Sequence, residues 1–162
     1  MGKIRKIELF SDGASWGNPG KAGIGVIIYD ENKKIIKRFG KFIGEATNNT
    51  AEYMALIYGL QEALILGAKE LIINLDSELI ARQLEGLYRV KDANLKVLFE
   101  QASHLLQGFK KIEIKNIERT RNKEADRLAT QAIKEAVKKK LPVTKVGAEK
   151  ISTAMPRQRE LF

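Results

Sequence analysis

An α/β protein, with a five-stranded mixed sheet flanked by helices on both faces, is predicted by three observations. Apolar residues alternate with period two over residues 6–43. Near residue 49 the pattern changes to a spacing of three to four, and beyond it one short apolar run and one more alternating run lie between helical stretches. The resulting order is βββαβααβα, and strands followed by mixed helix and strand units bury their faces best as layered α/β structure.

The first strand is read from Ile7, Leu9 and Ser11 alternating with Lys6, Glu8 and Phe10. GNPGKAG supplies a turn, IGVIIYD a more buried strand, and DENKK a hairpin into IIKRFGKFI, completing a meander. Leu56, Leu60, Ala63 and Leu64 mark one face of a long helix that Gly67 ends. LIINL (71–75) is a buried strand, SELIARQLEG a short helix closed by Gly86, and residues 94–106 an amphipathic helix ended by Gly108. KIEIKNI (111–117) alternates as the fifth strand. Ala125, Leu128, Ala129, Ala132 and Ala136 then mark a last helix, for which Asn122 is the expected N-cap. Past Lys140 the periodicity stops, so residues 1–140 are expected as one domain and 141–162 as a flexible basic tail.

Composition narrows the function classes. The 162 residues carry a net charge of +9, which favours polyanionic partners. Residues 1–132 hold 21 Lys and Arg against 17 Asp and Glu, so much of the surplus lies further on. Cysteine is absent, which excludes disulfides, zinc–thiolate sites and thiol nucleophiles. No apolar run reaches the roughly 20 residues that span a bilayer, and MGKIRKIELF lacks a signal-peptide core. A soluble, cytoplasmic monomer without membrane association is the expectation.

Four carboxylates stand out: Asp12 in SDGASWGNPG, Glu52 in TNNTAEYMAL, Asp76 in INLDSELI and Asp126 in RNKEADRLA. Asp12 is placed at the end of the first strand, beside Gly13 where the backbone is expected to turn. Asp76 falls just past the fourth strand. Glu52 and Asp126 are placed in the first turns of the long and last helices, where the helix N-terminus would help keep them ionised. A cluster of hard oxygen ligands binds Mg²⁺ or Mn²⁺, one standard means of hydrolysing a phosphodiester. Acids this close repel, so their ionisation should be coupled to a cation.

In order, spacing and flanking residues these motifs resemble ribonuclease H of type 1, over residues 4–138. The resemblance implies that fold and an endoribonuclease that hydrolyses the RNA strand of RNA–DNA hybrids. It implies that Asp12, Glu52, Asp76 and Asp126 hold two ions, Mg²⁺ or alternatively Mn²⁺, giving 5′-phosphate and 3′-hydroxyl ends. Gly13, Asn48 and Glu52 match positions that approach the RNA ribose, and Asn18, Thr47 and Asn49 those around the DNA strand. Turn chemistry and helix capping are a second job the same residues can do.

The sequence departs from that pattern in three places. The family's loop histidine is missing from ERTRNKEAD, and the lone His104 lies on another helix. Arg119 or Arg121 could contact phosphate there, though neither can act as a base. Glu78 stands where the family often has glutamine, which adds negative charge beside Asp76. GLYRVKDAN (86–94) joins the middle helices directly, without the basic handle of some members, so grip would come from Arg89, Lys91, Lys96, Arg119, Arg121 or lysines 138–140. These departures keep double-stranded RNA open as a further substrate. A non-catalytic hybrid-binding module is the alternative of a different class, and all four acids speak against it. Finally, Gln158, Leu161 and Phe162 resemble the peptide by which bacterial replication proteins dock on the DNA sliding clamp, a candidate partner contact whose alternatives are a tail that packs back on the domain's own core or one that is idle.

Overall fold

The computed structural model describes residues 6–143. The expected clamp-docking residues Gln158, Leu161 and Phe162, and the tail from residue 144 onward, lie outside the described residues.

The meander is longer than its alternation suggested. β1 (Lys6–Gly17), β2 (Gly20–Tyr29) and β3 (Ile35–Ala46) pair antiparallel, with Asp12 opposite Gly25. α1 (Asn48–Ile65) follows, then β4 (Glu70–Leu75), α2 (Glu78–Leu84), α3 (Ala93–Leu106), β5 (Lys111–Asn116) and α4 (Lys123–Lys138). A short 3₁₀ turn at Arg119–Arg121, which the sequence did not suggest, leads into α4. Sheet order is β3-β2-β1-β4-β5, with β4 parallel to both β1 and β5. Gly67 and Gly86 end α1 and α2 in the left-handed region, at φ +79° each, as their spacing predicted. Residues 85–92 join α2 to α3 with no intervening helix.

One correction bears on the site. β1 does not end at Asp12: the strand continues to Gly17, and the reversal falls at Asn18–Pro19. Gly13 is therefore not a turn residue. A Cβ there would lie 2.2 Å from the Ala51 carbonyl carbon and 2.4 Å from the Glu52 nitrogen, so its role is to let α1 cross against β1 at backbone contact.

Two apolar layers hold the sheet. On one face Ile7, Leu9, Val26, Ile28 and Ile73 pack against Tyr53, Leu56 and Leu60 of α1, with Ala102 of α3 in the same cluster. On the other face α4 lies on β2 and β3 almost backbone to backbone. A Cβ on Gly23, Gly25 or Gly40 would meet the carbonyl oxygens of Ala129, Ala125 and Leu128 at 2.4, 2.0 and 2.4 Å. Both helices that bring acids to the sheet are thus seated through glycine.

Candidate active site

The parallel pairing of β1 with β4 starts the site. Phe10 is opposite Asn74, so the same register carried two residues on sets Asp12 beside Asp76, where β4 has ended and β1 has not. Glu52 enters from α1, and oxygens of Asp12, Glu52 and Asp76 all lie within 4.8 Å of one another. Glu52 sits one turn deeper in α1 than expected, because the helix starts at Asn48 and its first turn holds no acid. Asp126 is in the first turn of α4 as predicted. It stands outside the tight trio but within hydrogen-bonding reach of Asp12.

Burial and charge settle the ionisation of this cluster differently from the sequence expectation. Asp12 is only 5% exposed. Burial first, then Glu52, Asp76 and Asp126 around it, push its carboxyl up to about 11. Burial likewise pushes Glu52 up to about 7, against a hydrogen bond from Asp12, the Gly13 backbone amide and the nearby Arg119. Its place in α1 does not keep Glu52 fully ionised, and in the metal-free protein Asp12 stays protonated and Glu52 partly so at neutral pH.

The same facts test whether a divalent ion fits. Three carboxylate oxygens from three elements converge within 4.8 Å, and this all-oxygen set suits Mg²⁺ or Mn²⁺ rather than softer metals. A cation there would offset the burial and repulsion that favour the protonated forms of Asp12 and Glu52.

These acids line an open cleft of about 410 Å³ together with Gly13, Ser15, Asn48, Asn49, Ser77, Arg119 and Lys123. Of the residues expected to meet substrate, Gly13, Asn48, Asn49, Glu52 and Arg119 are in this cleft. The others are not. Asn18 Oδ1 accepts the Asn48 backbone N–H at 3.0 Å, and Thr47 caps α1 by accepting from the Thr50 N–H at 3.2 Å. Glu78, with its side chain 62% exposed, turns to Tyr88, whose hydroxyl donates to it at 3.3 Å. Arg121 lines a separate cavity with Phe10, Tyr29 and Glu124. His104 is exposed on α3, apart from the cleft.

Sequence reasoning missed Ser15, Ser77 and Lys123. Ser77 is legible as the α2 cap, accepting from the Ile80 N–H at 3.3 Å, and Lys123 could have been found as the cation beginning the helix that carries Asp126. Ser15, whose hydroxyl donates to the Ala46 carbonyl at 2.8 Å, gave no local signal, because its partner lies on β3. Asn122 occupies the N-cap position of α4 as predicted, but its side chain makes no cap hydrogen bond.

A glycine-seated α/β sheet, with a carboxylate trio gathered where β4 ends beside the continuing β1, defines a class of protein able to hold a divalent metal at the sheet edge. The family profile described as "Reverse transcriptase-like" matches residues 10–132. A bifunctional protein of Mycobacterium tuberculosis, Rv2228c, is 40% identical over 129 residues, which are 79% of this chain and 35% of that protein. The structure of its N-terminal RNase H domain, fused to maltose-binding protein, superposes with a TM-score of 0.80 at 39% identity, covering 84% of this chain and 99% of that one. Ribonuclease HI of Halobacterium salinarum is 37% identical over 131 residues, 81% of this chain and 66% of that protein. A structure of LC11-RNase H1 in complex with an RNA/DNA hybrid is 40% identical with a TM-score of 0.77, covering 81% of this chain and 99% of that one. The chain belongs to the ribonuclease H type 1 family within this reverse-transcriptase-like group, in the form without a basic handle. It spans about a third of the length of the mycobacterial relatives it matches.

Proposed function

We propose that the protein is an endoribonuclease that hydrolyses the RNA strand of RNA–DNA hybrids, leaving 5′-phosphate and 3′-hydroxyl ends. The observation that carries this reading is the trio of Asp12, Glu52 and Asp76, converging within 4.8 Å in an open cleft that also presents amides and cations. The relative whose structure contains an RNA/DNA hybrid supports the choice of substrate.

Asp12, Glu52 and Asp76, with Asp126 beside them, would hold two divalent ions, most simply Mg²⁺. When bound, such ions supply an activated water and charge stabilisation at the leaving oxygen. The remaining work belongs to the chain. Asn48 and Asn49 offer donors and acceptors that suit a 2′-hydroxyl, the group that distinguishes RNA from DNA. Arg119 and Lys123 bring positive charge to a cleft whose other charged residues are acids, placed to hold a phosphate without taking a proton from it.

The test is cleavage of one end-labelled RNA strand, annealed to DNA, annealed to RNA or left single, with Mg²⁺, Mn²⁺ or chelator. Metal-dependent cutting of the hybrid, abolished by Asp76→Asn, is the expected result. Wild-type protein that binds the hybrid tightly and leaves it intact would replace this reading with a binding module.

A further inference from the structure

Asn122 is only 2% exposed and gives up the capping role its position offers. Its Nδ2 donates instead to Asp76 Oδ2 at 2.8 Å and to the Ser11 carbonyl at 3.0 Å. Both partners only accept, so the amide nitrogen must be the atom facing them. Its Oδ1 is left buried without a partner, as is the Ser11 hydroxyl. Forgoing a cap and burying an unpaired acceptor both cost stability, so this arrangement calls for a compensating role.

The role follows from what the amide touches. Asp76 stands on the first residue past β4, among acids that repel it, and among the described residues Asn122 is the one side-chain donor it has. Ser11 immediately precedes Asp12 on β1. The Asn122 backbone carbonyl accepts the Asp126 N–H at 3.1 Å. One residue therefore joins the segments bearing three of the four acids. A neutral donor suits this position: it orients the carboxylate, whereas a lysine would cancel the charge that attracts an ion.

We propose that Asn122 is a positioning residue of the metal site, fixing the Asp76 carboxylate and locking β1 to the start of α4. The inference rests on the nuclease reading above, and metal binding tests it separately from cleavage. Wild type, Asn122→Ala and Asn122→Ser would be compared by calorimetric Mg²⁺ titration, by metal-free thermal midpoint, and by kcat and KM on hybrid at saturating Mg²⁺. Removing such an outer partner typically weakens metal affinity about tenfold or more. We expect that loss in Asn122→Ala, with kcat reduced at least as much and KM changed by less than about threefold. Serine is a good N-cap too short to reach both acceptors, so Asn122→Ser should match or exceed the alanine variant in stability yet remain as impaired in affinity and kcat. Recovery of affinity and kcat together with stability in Asn122→Ser would overturn the proposal and leave Asn122 a helix anchor. So would wild-type Mg²⁺ affinity in either folded variant. If wild type binds Mg²⁺ but leaves the hybrid intact, the nuclease reading fails, and the calorimetric comparison still decides this one.

Discussion

Tyr53 follows Glu52 in α1 and is fully buried, and its hydroxyl donates to Gln83 of α2, itself only 4% exposed. Burial pushes the phenol up to about 12, so it remains a donor across the working pH range. The bond ties the helix carrying Glu52 to the helix that begins beside Asp76. Tyr53→Phe keeps the shape and strands the Gln83 oxygen, which costs about 1–3 kcal/mol. In a domain of this size the melting midpoint should fall by about 5 °C, with kcat on hybrid within about twofold of wild type. Calorimetry and a cleavage assay check this. A large loss of kcat at unchanged midpoint would mean that the bond tunes Glu52 rather than the packing.

Seating α4 on Gly23, Gly25 and Gly40 is what sets Asp126 against Asp12, since Gly25 is the cross-strand partner of Asp12. Gly25→Ala would put a methyl 2.0 Å from the Ala125 carbonyl oxygen, backbone that can move only by lifting the helix. Overpacking of this kind costs about 1–3 kcal/mol, and displacing a catalytic group by about 1 Å can cost on the order of a hundredfold in rate. A fall in kcat far beyond the loss of stability is expected. Gly86→Ala is the control: it meets nothing within 4 Å and is strained only by its φ of +79°, so stability should fall slightly and kcat should hold. The same contacts show where local reading stops. Helix and strand periods, the terminal glycines of α1 and α2, and the flanks of the four acids were legible because each is written within a few neighbouring residues. Gly13 was misread as a turn, and Asn122, which does hold the predicted N-cap position, spends its side chain elsewhere, because a glycine in a strand and an asparagine before a helix each permit two roles. Which one holds depends on Ala51 and Asp76, 38 and 46 residues away in the chain.

Across the whole molecule, the buried acids should make stability depend on pH in a direction opposite to that of ordinary paired carboxylates. Without metal, Asp12 is raised from 3.8 to about 11 and Glu52 from 4.5 to about 7. Below pH ~3 both are largely protonated in folded and unfolded chains alike and contribute little slope. As pH rises, the unfolded chain releases these protons while the folded protein keeps them. Stability therefore falls by as much as about 1.4 kcal/mol per pH unit for each group still protonated only in the fold. The contribution of Glu52 to that decline ends near pH 7, while that of Asp12 continues towards 11. Asp12→Asn cannot ionise, which removes the Asp12 part of this decline, so its metal-free midpoint should vary less between pH 5 and 8 and exceed wild type at the upper end. Mg²⁺ needs the ionised carboxylates, so it must displace the retained protons. It should raise the wild-type midpoint little at pH 5, more at pH 8, and much less in Asp12→Asn at either pH. Scanning calorimetry in chelator and in Mg²⁺ across that range makes the comparison. If metal-free wild type instead gains stability with pH relative to Asp12→Asn, Asp12 is already ionised in the empty cluster, and burial is not what sets its charge.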